Sequence, residues 1–497
     1  MTRRALMKTG VAAAAFAGMG SIPALLSAQS ARENRLAIPP LDPGEMIGGK
    51  RVYNLGLQTG TTEFFKGFHT PTMGINGAYL GPVLRMKRGE MVQINVQNGI
   101  GTESTLHWHG FNLPAAADGG PHQVIGAGET WSPEFEVREQ ASTMWYHSHL
   151  MGKTAAQVWA GLAGMVIVDD DAQAVDLPSQ YGVDDIPVVL QDRRFLLNGT
   201  MPYDPNMHDR MAGMQGNYPV INGTISPFVD VTTQRVRLRL LNGSNASIYN
   251  LQFRDGRSFQ MVASDGGLLT EPASLTALRI APGERAEIVV DFSDGRPALL
   301  ESVAGESGGM GGGMGMGGGG MMGGGMMNEQ SPVFELLELR PAADLAGSPA
   351  VPARLADLAA PDASQAVRTR QFLLEMGMGM RMMMGGSFSI NGDEMDMKVI
   401  NHVVKKDEVE IWEIGNTGPM LHPFHVHNTQ FRILDRSGMP PPAHETGLKD
   451  TVLVEPGEIV RILVKFEHYT DDKRPYMYHC HILEHEDGGM MGQFTVV

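Results

Sequence analysis

Ile390-Asn391-Gly392, followed by the run Val409-Glu410-Ile411-Trp412-Glu413-Ile414-Gly415-Asn416, is the third copy of one pattern. The other copies are Ile75-Asn76-Gly77 before Val92 to Asn98, and Ile221-Asn222-Gly223 before Val236 to Asn242. Each copy continues into a second strand-like run ending in Phe: Leu106 to Phe111, Ile248 to Phe253 and His425 to Phe431. A Gly-Glu turn follows, at Gly128-Glu129, Gly283-Glu284 and Gly457-Glu458. Short alternating runs with Gly, Pro and Asn punctuation and few helical patterns predict β-sandwiches with Greek-key connections. The repeat therefore predicts an all-β chain of three tandem Greek-key sandwiches. Composition shifts place the boundaries: the acidic Asp169-Asp170-Asp171 closes a first domain over 32–172, and the Pro/Ala-rich stretch from Pro341 to Pro361 separates a second over 173–345 from a third over 346–497.

The third copy ends in His479-Cys480-His481, then His485 and Met490, and Cys480 is the only cysteine in 497 residues. It has no partner for an intramolecular disulfide. In a strand, residues i and i+2 share a face, so Cys480 points away from its two flanking histidines. Cys480, His485 and Met490, with His422 as a second imidazole, make two His, one Cys and an axial Met, the ligand set of a blue-copper electron-transfer site. His479 and His481 look towards a second site on the opposite face.

That second site gathers ligands from two copies of the repeat. At the first strand position, copy one has His107-Trp108-His109 and copy three has His425-Val426-His427; at the last, copy one has His147-Ser148-His149 and copy three His479-Cys480-His481. Copy two reads Tyr249-Asn250-Leu251 and Leu299-Leu300-Glu301 there, without ligands. A single His-x-His pair carries little information. Four pairs at equivalent positions, one around the only cysteine, predict eight imidazoles facing one another around a cluster of metals.

The formal charge of -16 argues against nucleic acid, which needs a basic face. Methionine is the anomaly, with 35 Met against 18 Phe and 5 Trp. Gly308 to Met327 is almost wholly Gly and Met, and a second cluster runs from Met376 to Met384, with Met395 and Met397 beyond. Thioethers are soft, neutral ligands that select Cu(I), and Met201 to Met214 is a further candidate contact. The start of the chain, Thr2-Arg3-Arg4 with an apolar stretch from Val11 to Leu26, reads as a twin-arginine export signal over 1–31 and predicts a periplasmic protein handled by the twin-arginine machinery. The stretch is too short and Ala/Gly-rich for a stable membrane span. His69, His122, His208, His402, His444 and His468 have no paired spacing and read as surface or structural residues.

The motifs Leu106-His107-Trp108-His109-Gly110, Trp145-Tyr146-His147-Ser148-His149, His422-Pro423-Phe424-His425-Val426-His427 and His479-Cys480-His481 resemble those of the multicopper oxidases. With the Met-rich segments and the run from His481 to Asp487, the likeness is greatest to bacterial periplasmic cuprous oxidases of copper tolerance. The resemblance implies cupredoxin-like domains and four copper ions: one type 1 at Cys480, one type 2 at His107 and His425, and two type 3 at His109, His147, His149, His427, His479 and His481. It also implies acidic relay residues at Asp118 and Glu486, and a substrate-copper ligand at Met420, with Met376 a further candidate. Family members carry acids at that outer site, where this chain has Gly418, and near Met376 to Met384 it offers only Glu375 and the basic Arg381. The reaction implied is oxidation of Cu(I) with reduction of dioxygen to water. A laccase acting on phenols or other small organic reductants is the alternative, and a copper-sequestering protein without turnover is a third reading.

Overall fold

The computed structural model describes residues 32–305, 331–359, 361–377 and 388–497. The expected export signal, the Gly308 to Met327 stretch and Met378 to Met384 with Arg381 lie outside them.

The repeat asparagines do the same work in every copy. Asn76, Asn222 and Asn391 have positive φ of 55°, 49° and 59°, a region Asn tolerates better than most residues with a Cβ. Each side chain staples a neighbouring strand. Its oxygen accepts from the N–H of Gly56, Val189 or Leu373, and its amide donates to the carbonyl of Asn54, Pro187 or Gln371, at 2.6–2.8 Å. The asparagines that close the following strands, Asn98, Asn242 and Asn416, each donate to two carbonyls further along the chain. Glu129, Glu284 and Glu458 each accept from the backbone N–H three positions earlier. Equivalent residues thus close equivalent turns three times.

The result is three tandem cupredoxin-like β-sandwiches. In the first, Met91–Asn98 and Lys50–Thr62 lead one sheet, and the other runs Leu41–Asp42, Val83–Lys87, Ala163–Asp169, Ser142–His147, His107–His109. In the third, Ala366–Met376, Val409–Asn416 and Ile459–Lys465 centre one sheet, while the other runs His402–Val404, Met491–Val496, Asp471–Cys480, His422–Val426, Thr451–Val454. The middle sandwich has two six-stranded sheets, and Asn34–Arg35 joins one of them beside Pro227–Thr233. Alternation sets the cores: in Met91–Asn98, Val92, Ile94 and Val96 are fully buried between more exposed neighbours, each such side chain contributing roughly 1.5–3 kcal/mol.

Register brings the ligand pairs side by side. His107 stands opposite His147, and His425 opposite His479, on adjacent antiparallel strands. Among the described residues no helix is long and apolar enough to cross a membrane. Two short helices close the Cys480 end, where Asp487 on Leu483–Asp487 accepts from Thr154 N and Ala155 N at the start of Thr154–Ala160, at 3.1 and 3.0 Å.

Candidate metal centres

Cys480 and its neighbours face opposite ways, as strand alternation requires. On one side, Cys480 Sγ lies 3.5 Å from His422 Nδ1 and 3.7 Å from His485 Nδ1, and the two nitrogens are 3.3 Å apart. Three donors about 2.1 Å from an ion at the centre of their triangle would stand ~3.6 Å from one another, so this triangle fits a bound metal. His485 is oriented by donating Nε2–H to Met211 O at 2.8 Å and by stacking on Phe388. All three donors are fully buried in an apolar core that also holds Met490, whose carbonyl accepts from Cys480 N at 3.0 Å. That burial pushes the Cys480 thiol up, so a metal must displace its proton.

On the other side the eight imidazoles converge, all buried. Their donor atoms fall into groups: His109, His147 and His481; His149, His427 and His479; and His107 with His425 and His427. In the second group His479 Nε2 lies 3.2 Å from His149 Nε2 and 3.3 Å from His427 Nε2. Burial depresses the basicity of every one of these rings, so they stand as neutral imidazoles with a lone pair to give.

Backbone carbonyls decide which nitrogen is free. His107, His147, His425 and His479 hold Nδ1 against the carbonyls of Asp118, Ser148, Asp450 and Cys480 at 2.8–3.0 Å. The Nε2 atoms of His107, His147 and His425 are left buried with no hydrogen-bond partner, as are both nitrogens of His481. Unpartnered buried imidazole nitrogens aimed at one another are what a metal cluster requires, and an N-only set beside a His2Cys set suits copper.

Both expected relay acids reach this cluster. Asp118 Oδ2 accepts from His427 Nδ1 at 2.8 Å while Oδ1 has no partner, and burial raises its carboxyl to about 6. Gly119, at φ 75°, lets the loop close: a Cβ there would lie 1.8 Å from Leu106 O. Glu486 Oε1 lies 3.1 Å from His149 Nδ1 and Oε2 3.4 Å from His479 Nδ1, and burial pushes its carboxyl well up.

The outer candidates lie nearby. Met420 is buried two residues before His422, and Met376 is half-buried against the Cys480 core. A Cβ on Gly418 would stand 3.7 Å from both His422 Nε2 and Met376 Cγ, so glycine here leaves space where a side chain could reach that imidazole. Of the Met201 to Met214 stretch, Met211 comes to His485 through its carbonyl. Asp450 and Arg285 are the residues that sequence reasoning missed: His109 Nε2 meets Asp450 Oδ1 at 2.9 Å, and Arg285 NH1 and NH2 reach its two oxygens at 2.7 and 2.5 Å.

Three family models described as multicopper oxidase match residues 57–173, 165–298 and 366–497. The chain is 34% identical to a multicopper oxidase of Staphylococcus aureus, covering 93% of each. It is 33% identical to the cell division protein FtsP of Photorhabdus laumondii, covering 96% of each. A solved structure with a TM-score of 0.82 and 39% identity, covering 93% of this chain and all of the other, is a laccase-like multicopper oxidase, CueO, from a lignin-degrading Ochrobactrum, described as active towards lignin model compounds and lignosulfonate.

Proposed function

This chain belongs to the multicopper oxidase family, an oxygen-using oxidoreductase family with copper as cofactor, and we propose that its reductant is Cu(I). The reaction is four Cu(I) plus dioxygen and four protons giving four Cu(II) and two waters. Four coppers serve it, one at His422, Cys480, His485 and Met490, and three at the eight imidazoles. Bound there, copper supplies one-electron acceptance at Cys480 and four-electron reduction of dioxygen at the cluster.

The chain's own part is positional. Cys480 is bonded in sequence to His479 and His481, so the acceptor and the cluster are linked by one residue of backbone on each side. The backbone carbonyls hold the imidazoles with lone pairs inward, and the apolar shell around Cys480 excludes water. Asp118 accepts from His427 Nδ1 and Glu486 Oε1 stands 3.1 Å from His149 Nδ1, so both carboxyls can take up and return protons beside the cluster. Asp118 Oδ1, the oxygen with no protein partner, is where this carboxyl would take up a proton and pass it on during reduction of dioxygen to water. The relative named for cell division makes family membership alone insufficient, and the complete ligand set argues for turnover.

The observation that carries Cu(I) is the methionine content, 35 residues, much of it in Gly308 to Met327 and Met376 to Met384. Thioethers so concentrated gather Cu(I) in preference to harder ions. Residues 1–31, read as a twin-arginine export signal, support a periplasmic site of action, where conversion to the less permeant Cu(II) would be protective. A phenol-oxidising laccase is favoured instead by the activity described for the 39%-identical Ochrobactrum structure.

Oxygen uptake by copper-loaded protein with ligand-buffered Cu(I), beside a phenol, in wild type and with 308–327 deleted, separates the two. Faster Cu(I) oxidation that falls in the deletion supports the proposal. Preference for the phenol, with faster phenol turnover in the deletion, contradicts it.

A further inference from the structure

Asp118 and Asp450 are placed alike in the two ligand-bearing sandwiches. Each tethers a histidine of its own domain through its backbone carbonyl: His107 Nδ1 to Asp118 O and His425 Nδ1 to Asp450 O, both at 2.8 Å. Each carboxylate also reaches across to the other domain's His-x-His pair, Asp118 to His427 and Asp450 to His109. The two differ in what stands behind them. Asp118 keeps one oxygen free, whereas Asp450 is gripped by Arg285 on both oxygens and also accepts from Thr451 Oγ1 at 2.9 Å.

Arg285 comes from the middle sandwich, which among the described residues gives no side chain to either candidate metal centre. It is fully buried and donates as well to Thr143 O, Gly283 O and Asp265 O. Its turn packs directly on the cluster: a Cβ on Gly283, at φ 85°, would lie 2.8 Å from His481.

We infer that Asp450, pinned by Arg285, is a positioning residue that fixes His109 in the Nε2–H tautomer and so turns its Nδ1 lone pair towards His147 and His481. The donor count enforces this. Every hydrogen bond that Asp450 Oδ1 makes to Arg285 or Thr451 is one it accepts, so it can only accept from His109 too. Thr451 Oγ1, 3.3 Å from the same His109 nitrogen, has already given its proton to Asp450 and can likewise only accept. His109 Nδ1 is accordingly buried with no partner, the reverse of His107, His147 and His425, whose free nitrogen is Nε2. The middle sandwich thus shapes the cluster through one guanidinium.

This inference rests on reading the imidazoles as copper ligands, and the test keeps the two separable. The paired variant Asp450→Leu with Arg285→Met removes both charges together, which folds far better than leaving one unpaired, and it frees the Thr451 hydroxyl to donate to His109 Nε2. The expected result is an unchanged blue absorption from the Cys480 centre in a protein that still melts cooperatively, at a lower temperature because Thr143 O, Gly283 O and Asp265 O lose a donor, with bound copper falling from four to two or fewer per chain. Four coppers in the folded variant would overturn the inference. Wild type that binds no copper beyond the Cys480 centre would instead overturn the ligand reading. Histidine ring 15N NMR of the metal-free wild type decides the matter independently of how the variant folds: Nε2–H on His109 supports the inference, and Nδ1–H overturns it.

Discussion

His479 Nδ1 donates to the Cys480 carbonyl at 3.0 Å, so the residue whose thiol faces His422 and His485 also orients the first imidazole of the other cluster. His479 Nε2 in turn sits 3.2 Å from His149 Nε2 of the first sandwich. Two chemically different candidate sites therefore share one strand, Asp471–Cys480.

Asp118→Asn keeps an oxygen for His427 Nδ1 but removes the ionisable group. Positioned proton transfer is worth typically 10²–10⁴-fold, so oxygen reduction should slow by about 100-fold while the blue absorption and copper content stay unchanged. Steady-state turnover within twofold of wild type would remove Asp118 from the proton supply.

Gly418→Asp adds a carboxylate where the Cβ has only ordinary contacts, 3.4 Å or more from its neighbours. It should raise Cu(I) turnover through a lower KM and leave phenol turnover unchanged. An equal effect on both substrates would show that the outer site does not bind Cu(I).

Glu287 links the first two sandwiches, accepting from Thr143 Oγ1 at 2.6 Å and pairing with Arg237 and Arg239. Burial alone would raise its carboxyl, but Arg237, Arg239 and the Thr143 hydroxyl bring it down to about 2. A depressed carboxyl stabilises the fold fully above its unfolded value near 4.5, and that stability is lost as pH falls through about 2. The shift corresponds to about 3 kcal/mol at neutral pH. Glu287→Gln should therefore be less stable than wild type at pH 7 in urea titrations, with the gap closing towards pH 2. A gap that stays constant with pH would contradict the assignment.

The three-sandwich fold was legible because its repeat writes equivalent side chains at equivalent turns, and Asn76, Asn222 and Asn391 turn out to make the same pair of strand contacts. The donor groups were legible because strand alternation alone separates Cys480 from His479 and His481. Asp450 was not. Unlike Asp118, which stands 11 residues after His107 in a Gly-rich turn, it lies 25 residues beyond His425 with no spacing to mark it, and its partner Arg285 belongs to the domain whose His-x-His positions are empty. Contacts made only where three domains meet leave no local pattern in the chain. Met211 is a further case, since its carbonyl meets His485 across a domain boundary and no methionine spacing announces a carbonyl contact.

In the proposed reaction every electron enters at Cys480 and leaves through the eight imidazoles. Cys480→Ser, loaded with copper and assayed for oxygen uptake with Cu(I) and with a phenol, tests it most directly. The variant should fold without blue absorption, keep copper at the imidazole cluster and take up no oxygen with either reductant. Uptake sustained by either reductant in that variant would contradict it.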